Sequence, residues 1–186
     1  MIATARPVAE VASCWGGLLA MVLGVALVPA VVQAQGKSRA AAVVEGRVDK
    51  VVDGDSLWFV ATASGQRTEV RLLDIDAPEI CQDGGEASRL ALQDLVAGKT
   101  ALLSPGARDR HGRTLARLKV DGQDVSRRQV IEGQAWSTRV RWDRGPLAAE
   151  ERTAAALKRG LHAAGGAEQP HLFRARNGPC VAPAPR

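Results

Sequence analysis

The sequence predicts a small, partly closed β-barrel that carries helices. Five short, partly β-branched segments are separated by turn dipeptides such as Asp53-Gly54 and Asp121-Gly122. Three segments with helical patterning are interleaved, the first of them after the third strand. The chain has 186 residues and shows no repeat or heptad pattern, which fits one domain. Five strands with a helix after the third suggest a barrel of the OB type.

The predicted strands are bounded by Gly-containing turns. Ser64-Gly65, Pro105-Gly106 and His111-Gly112 separate neighbouring segments, so Pro105-Gly106 is expected to follow the end of the fourth strand. The strands are predicted at 42–52, 56–62, 68–73, 100–103 and 114–120.

The predicted helices carry recognisable start and stop signals. The first, 86–97, ends before Gly98, and the second, 125–132, ends before Gly133. The third, 146–159, begins with a proline, has acidic residues early and basic residues late, and so matches the helix dipole. Residues 163–186 are rich in Ala, Gly, Pro and Arg and are predicted to form an extended tail.

Composition excludes several classes of protein. Hydrophobic residues make up 46% and charged residues 24% of the chain, which is ordinary globular usage and not that of a disordered or collagen-like chain. The 25 Lys and Arg outnumber the 20 Asp and Glu, for a net charge of +5. This positive charge suits a nucleic-acid partner, and nothing in the composition requires more than a monomer.

The first 34 residues differ from the rest. An apolar stretch extends from Trp15 to Val32. Val32-Gln33-Ala34, at its end, has the form of a signal-peptide cleavage site. We therefore predict a signal peptide at 1–34, a flexible lead at 35–42, and a periplasmic or secreted protein. The alternative is an uncleaved membrane anchor, because the apolar stretch is nearly long enough to span a bilayer.

Cleavage of the signal peptide would remove Cys14 and leave Cys81 and Cys180. An even number of cysteines in an exported protein suggests one disulfide, here between a loop and the tail, although two free thiols are the alternative. A zinc-type site is not expected, since the sequence has no C-x-x-C and its three His lack ligand spacing.

Three charged segments carry the candidate chemistry, although each has a simpler explanation. Asp53-Gly54-Asp55 could be only a tight turn. Arg71 lies in an apolar strand, where its guanidinium needs a carboxylate or an anionic ligand, and a structural ion pair would satisfy it. The basic run 108–113 could be only a solvated surface.

Taken together, the segments supply what phosphodiester hydrolysis requires. Asp55 and Asp76 offer hard oxygen ligands for Ca²⁺ or Mg²⁺. Glu79, held by the stiff Ala77-Pro78 link, could activate water. Arg71 and Arg113 could stabilise charge on phosphate oxygens.

These motifs resemble the staphylococcal nuclease-like (thermonuclease) family over residues 44–162, so a nuclease-like domain is predicted at 43–162. The matching stretches are VVDGDS (51–56), VRLLDIDAPE (70–79), GEAS (85–88), DRHGRTLARL (109–118) and EGQAW (132–136). They occur in the order typical of the family. PHLFR (170–174) also resembles the tail of some bacterial members.

The resemblance implies a five-stranded OB-fold barrel and a Ca²⁺-dependent phosphodiesterase that cleaves DNA and RNA and leaves 3′-phosphate ends. It implies that two aspartates and one backbone carbonyl bind Ca²⁺, that a glutamate directs the attacking water, and that two arginines bind phosphate. These are Asp55, Asp76 and the carbonyl of Ala77 for Ca²⁺, Glu79 for water, and Arg71 and Arg113 for phosphate. Asp53 is expected beside them.

The sequence departs from the family pattern in its aromatic residues. It has no Tyr, and His111 stands where a tyrosine is common. Arg139 and Arg141 fall where relatives place nucleotide-contacting tyrosines. Trp136 and Trp142 could stack on bases instead, although the sequence favours core packing for Trp136.

Two other classes of function compete with a nuclease. One is a nucleic-acid-binding OB module with little or no catalysis. The other is an envelope interaction domain that docks through its tail. The intact set of charged residues favours the nuclease.

Overall fold

The structure is a computed structural model that describes residues 42–139, 141–163, 166–178 and residue 180. The predicted signal peptide lies outside these residues, as does the predicted lead except for its last residue. In the part of the chain that is described, no helix has both the length and the apolar character that a membrane span requires.

The described residues form eight strands and four α-helices. The strands are β1 (Val44–Val51), β2 (Ser56–Ala61), β3 (Arg67–Leu72), β4 (Ile75–Asp76), β5 (Ala101–Arg108), β6 (Thr114–Val120), β7 (Gln123–Asp124) and β8 (Trp136–Ser137). The helices are α1 (Gly85–Val96), α2 (Val125–Ile131), α3 (Ala148–Ala156) and α4 (Pro170–Asn177). A 3₁₀ turn at Gly160–His162 follows α3.

Five of the strands close into a barrel. Strands β3, β2, β1, β5 and β6 are antiparallel neighbours in that order, and a parallel pairing of β3 with β6 closes the ring. In this pairing Val70 lies opposite Thr114 and Leu72 opposite Ala116. Strand β7 extends β6, while β4 and β8 form a separate small sheet. The predicted five-stranded OB-fold barrel with helices is confirmed.

Side chains alternate along the strands, so that apolar residues fill the barrel and charged residues such as Arg71 lie on the opposite face. On β3, Val70 and Leu72 are buried in the core, so Arg71 between them points to the opposite side. Leu92 and Val96 of α1 and Val130 of α2 close the core from outside the barrel. Burial of such side chains stabilises the fold by roughly 1.5–3 kcal/mol each.

Strand β5 is longer than the sequence predicts. It continues through Pro105 and Gly106 to Arg108, so the turn predicted at Pro105-Gly106 was wrong. The register with β6 shifts between Pro105 and Arg108, which marks an irregularity of the kind that tolerates proline within a sheet.

The tail differs most from prediction. The segment predicted as extended contains α4, a helix of two turns with Pro170 at its start. Gly178, with φ 72°, follows its end, and its N–H donates to the carbonyl of Arg174. A proline at the start and a glycine after the end are ordinary helix signals, but the segment between them is short and polar, so it does not show a helical pattern in the sequence. The predicted bridge between Cys81 and Cys180 is present and joins the tail to the loop before α1.

A buried amide joins α2 to the turn before β2. Gln129 is 1% exposed, and its Nε2 donates to the carbonyls of Gly54 at 2.9 Å and Ser88 at 3.2 Å. Gln129→Leu should therefore lower the free energy of unfolding by about 2 kcal/mol, because two buried carbonyls lose their donor. Urea unfolding measures this, with Gln93→Leu on the exposed face of α1 as the control, expected within about 0.5 kcal/mol of wild type.

Candidate active site

The turn between β1 and β2 presents the first acidic residues. The Asp55 N–H donates to Asp53 Oδ1 at 3.0 Å, which fixes the turn. Gly54 is required by close packing, since a Cβ there would lie 1.8 Å from Ser88 Oγ on α1. The Asp-Gly-Asp sequence is therefore a tight turn that also holds two carboxylates at the end of the barrel.

Asp55 is a buried carboxylate with three partners. It is 1% exposed, its carboxylate forms an ion pair with Arg71 Nη1 at 2.7 Å, and its oxygens accept from the Ala77 N–H at 2.8 Å and Ser56 Oγ at 2.9 Å. Burial raises the pKa of the Asp55 carboxyl well above its usual range, and the charge of Arg71 opposes this effect.

Arg71 joins Asp55 to Asp76. Its Nη2 donates to Asp76 Oδ1 at 2.9 Å, while its Nη1 pairs with Asp55. Burial alone would lower the pKa of Arg71, but the two carboxylates raise it, so the guanidinium remains charged. The sequence predicts that Arg71 needs a carboxylate or an anionic ligand, and here two carboxylates satisfy it.

The loop between β4 and α1 holds Glu79 in place. The Glu79 N–H donates to Gln82 Oε1 at 3.2 Å, and the Gln82 N–H donates to the Glu79 carbonyl at 2.8 Å. Gly85 begins α1 against this loop, where a Cβ would lie 2.0 Å from the same carbonyl. The Glu79 carboxylate is left 19% exposed, at the mouth of the site.

A turn before β6 orients Arg113. Asp109 Oδ1 accepts from the N–H groups of His111 and Arg113, and its Oδ2 accepts from Arg113 Nε at 2.8 Å. Arg113 Nη1 reaches Ser56 Oγ at 3.3 Å, next to Asp55. The parallel closure of the barrel by β3 and β6 thus brings both predicted phosphate-binding arginines to one place.

Two open clefts meet at these residues. One, of 480 Å³, is lined by Asp53, Arg71, Glu79 and Arg113. The other cleft, of 680 Å³, is also lined by Arg71, together with Asp76, Trp136, Arg139, Arg141 and His171. A chain of phosphates crossing both clefts would meet arginines throughout.

The structure shows the role of one of the two tryptophans. Trp136 is 5% exposed and meets His162 edge to face, with ring centroids 6.4 Å apart, so it is part of the packing. Trp142 is 97% exposed, and its role in stacking stays a prediction. Arg139 forms an ion pair with Glu151.

All six residues predicted for the site come together at one end of the barrel. Among the described residues, no group of three or more His, Cys, Asp and Glu side chains is arranged to hold a metal ion. The Ca²⁺-ligand roles assigned to Asp55, Asp76 and Ala77 therefore stay predictions. Ala77 is 3% exposed and contacts Asp55 through its N–H.

One residue of the site was missed by the sequence analysis. Arg174 of α4 donates to Glu79 Oε1 at 2.7 Å and to Asp76 Oδ2 at 3.1 Å. These carboxylates raise the pKa of Arg174, although its partial burial acts in the opposite direction. The one available signal was the PHLFR stretch, to which the sequence assigned no role.

Comparison with known proteins agrees with this geometry. A family model described as "Staphylococcal nuclease homologue" matches residues 69–163. An "Uncharacterized endonuclease" of Escherichia coli O157:H7 is 40% identical over 94 residues, which cover 50% of this chain and 60% of the relative. A "Micrococcal nuclease" of Shigella flexneri is 35% identical over 103 residues, which cover 50% of this chain and 58% of the relative.

A third relative, an "Uncharacterized endonuclease" of Haemophilus influenzae, is 40% identical over 91 residues, covering 49% of this chain and 51% of the relative. The chain thus spans between about half and three fifths of the length of these relatives. The matched family segment runs from β3 to the 3₁₀ turn and contains Arg71, Asp76, Glu79 and Arg113. The chain belongs to the staphylococcal nuclease family.

Proposed function

We propose that the protein is an exported, Ca²⁺-dependent nuclease that hydrolyses phosphodiester bonds of DNA and RNA and leaves 3′-phosphate ends. The observation that carries this proposal is the meeting of Asp55, Asp76, Glu79, Arg71 and Arg113 around one end of the barrel. Such a set combines hard oxygen donors, a base and two guanidinium groups, as phosphoryl transfer requires.

The donor set fits a hard divalent cation. Asp55 and Asp76 both place a carboxylate oxygen within 2.9 Å of the same Arg71 guanidinium, so the two carboxylates already share one positive partner. Carboxylate oxygens are the ligands that Ca²⁺ prefers. Asp55 and Asp76 would hold the ion, with the Ala77 carbonyl beside them. When bound, Ca²⁺ would supply positive charge to a phosphate oxygen.

The remaining chemistry falls to side chains of this chain. Glu79, which is 19% exposed at the mouth of the site, would accept a proton from a water molecule directed at phosphorus. Arg71 and Arg113 would donate hydrogen bonds to the phosphate oxygens as negative charge develops. Asp109 holds Arg113 in place for this role. Departure of the 5′ oxygen would leave the phosphate on the 3′ side.

The test of the proposal is to analyse the products made from 5′-labelled single-stranded DNA and RNA in the presence of Ca²⁺. We expect both to be cut, with fragments whose electrophoretic mobility shifts after treatment with a phosphatase that removes 3′-phosphates. Fragments unaffected by the phosphatase would contradict the assignment of ends. Binding without cutting would favour a nucleic-acid-binding module.

Export rests on the predicted signal peptide and on the disulfide, which is typical of oxidising compartments. The N-terminal sequence of the protein recovered from its native compartment tests this. A chain beginning at Gln35 in the periplasm or the medium is the expected result. An intact chain in the membrane fraction would show an uncleaved anchor instead.

The arginine-lined clefts predict that nucleic-acid binding depends on salt. With about four phosphates contacted, raising the salt concentration fourfold should weaken binding of single-stranded DNA by about 50-fold. Fluorescence anisotropy with the Glu79→Gln variant, which should bind without cutting, measures this. A flat response to salt would contradict a polyanionic substrate.

A further inference from the structure

Helix α4 is fastened to the loop that carries Glu79. Cys180, after the helix, is bonded to Cys81, and Gln82 Nε2 donates to the carbonyl of Glu168 at 2.6 Å, before the helix. Pro170, the first residue of α4, is buried. The helix lies beyond the family-matched segment, which ends at residue 163. These contacts fix its position relative to the site from both ends.

Arg174 is the residue that α4 contributes to the site. Its Nη1 donates to Glu79 Oε1 at 2.7 Å and to Asp76 Oδ1 at 3.3 Å, and its Nη2 donates to Asp76 Oδ2 at 3.1 Å. Both terminal nitrogens of the Arg174 guanidinium therefore donate hydrogen bonds to carboxylates. One of these belongs to the proposed base, and the other to a proposed cation ligand.

The contacts of Arg174 conflict with those that the proposed reaction requires. Asp76 Oδ1 already accepts from Arg71 at 2.9 Å, so Arg174 takes the second oxygen of the same carboxylate. Arg71 uses one oxygen of Asp76, whereas Arg174 contacts both, so a divalent cation on Asp76 would compete with Arg174 for the lone pairs of both oxygens and would repel its guanidinium. The cation and Arg174 in this position therefore exclude each other.

We propose that Arg174 is an internal counter-cation that holds Asp76 and Glu79 until a divalent cation displaces it. The inference rests on the proposed function and deepens it, because it names the residue that sets the affinity of the site for its cation. The Cys81–Cys180 bond keeps α4, and with it Arg174, beside the site. Cation binding then has to release Arg174, which frees Glu79 at the same time.

A role as a third phosphate-binding arginine is the competing explanation. Arg71 is paired with Asp55 and Asp76, and Arg113 with Asp109, and none of these carboxylates is the proposed base. Arg174 differs from both because it is paired with Glu79 itself. The two roles predict different measurements. Competition changes cation affinity in the absence of nucleic acid, whereas a phosphate contact changes only the binding of substrate.

Calorimetric titration with Ca²⁺ alone tests the proposal in the full chain with its disulfide intact. Arg174→Gln should bind Ca²⁺ between about 5-fold and 150-fold more tightly than wild type, the usual range for coupled sites. Arg176→Gln is the matched control, because Arg176 lies on the same helix but pairs with Glu168. It should bind Ca²⁺ as wild type does. Equal or weaker binding by Arg174→Gln would overturn the proposal.

A second measurement needs no substitution. Amide hydrogen exchange of α4 in the wild-type protein should become faster when Ca²⁺ is added, since the helix loses its contact with Asp76 and Glu79. Unchanged or slower exchange would overturn the proposal. If wild type digests DNA with Ca²⁺ but Arg174→Gln binds Ca²⁺ no more tightly, only this inference fails. If neither protein binds Ca²⁺ nor digests DNA, the proposed function fails as well.

Discussion

Replacing Glu79 by Gln is expected to lower the rate of DNA hydrolysis by about 10³-fold, within the usual range for loss of a general base. The amide keeps an oxygen that can accept from Arg174 and leaves the loop contacts of the Glu79 backbone unchanged. The variant should therefore fold normally but lack a group that accepts a proton from water.

Glu86→Gln is the matched control for this experiment. Glu86 lies in the first turn of α1, where it pairs with Arg89 away from the clefts, so its loss should leave the rate unchanged. Initial rates on single-stranded DNA, with circular dichroism as a check of folding, make the comparison. A Glu79→Gln variant that cuts DNA within tenfold of wild type would remove Glu79 from the mechanism.

Replacing Arg71 by Met is expected to lower the free energy of unfolding by about 3–5 kcal/mol as well as to abolish activity. Asp55 is 1% exposed and loses its ion-pair partner, which leaves a buried charge with only neutral donors. Urea unfolding measures the loss. Lys99→Met, which breaks an exposed pair with Asp121, should cost no more than about 1 kcal/mol.

Two further measurements test the cause of this loss. Arg71→Met combined with Asp55→Asn should recover stability, because no buried charge remains. Acidification should also reduce the stability loss of the Arg71→Met variant. Burial raises the pKa of Asp55, and the loss of Arg71 removes the positive charge that opposes this rise. Protonated Asp55 carries no charge, so the stability deficit is fully present above the raised pKa and shrinks as the pH falls from that pKa towards the ordinary pKa of an unfolded aspartate. A deficit that is independent of pH would point to lost packing instead.

The barrel and most of the site could be predicted from local sequence. Val70 and Leu72 alternate with Arg71, so the strand pattern itself places the guanidinium on the face opposite the core. The charged motifs are short and contiguous, and each is held by near neighbours, as Asp109 holds Arg113. Predictions of this kind depend on periodicity and turn chemistry, both of which act over a few residues.

What could not be predicted depends on distant contacts. Helix α4 has eight residues, three of them charged or amide, and is too short to be stable by itself. It is held by a disulfide that closes a separation of 99 residues and by Gln82. The prediction of the bridge did not imply a helix, so the position of Arg174 could not follow from it. The length of strand β5 was likewise predicted too short, because Pro105 is compatible with a strand only where the sheet is irregular.

The most direct test of the central claim is to follow digestion of single-stranded DNA by the purified protein in Ca²⁺, in excess chelator, and after Ca²⁺ is restored. We expect digestion in Ca²⁺, none in chelator, and full recovery on restoration. Binding of DNA without digestion under all three conditions would contradict a nuclease and would identify the protein as a nucleic-acid-binding member of its family.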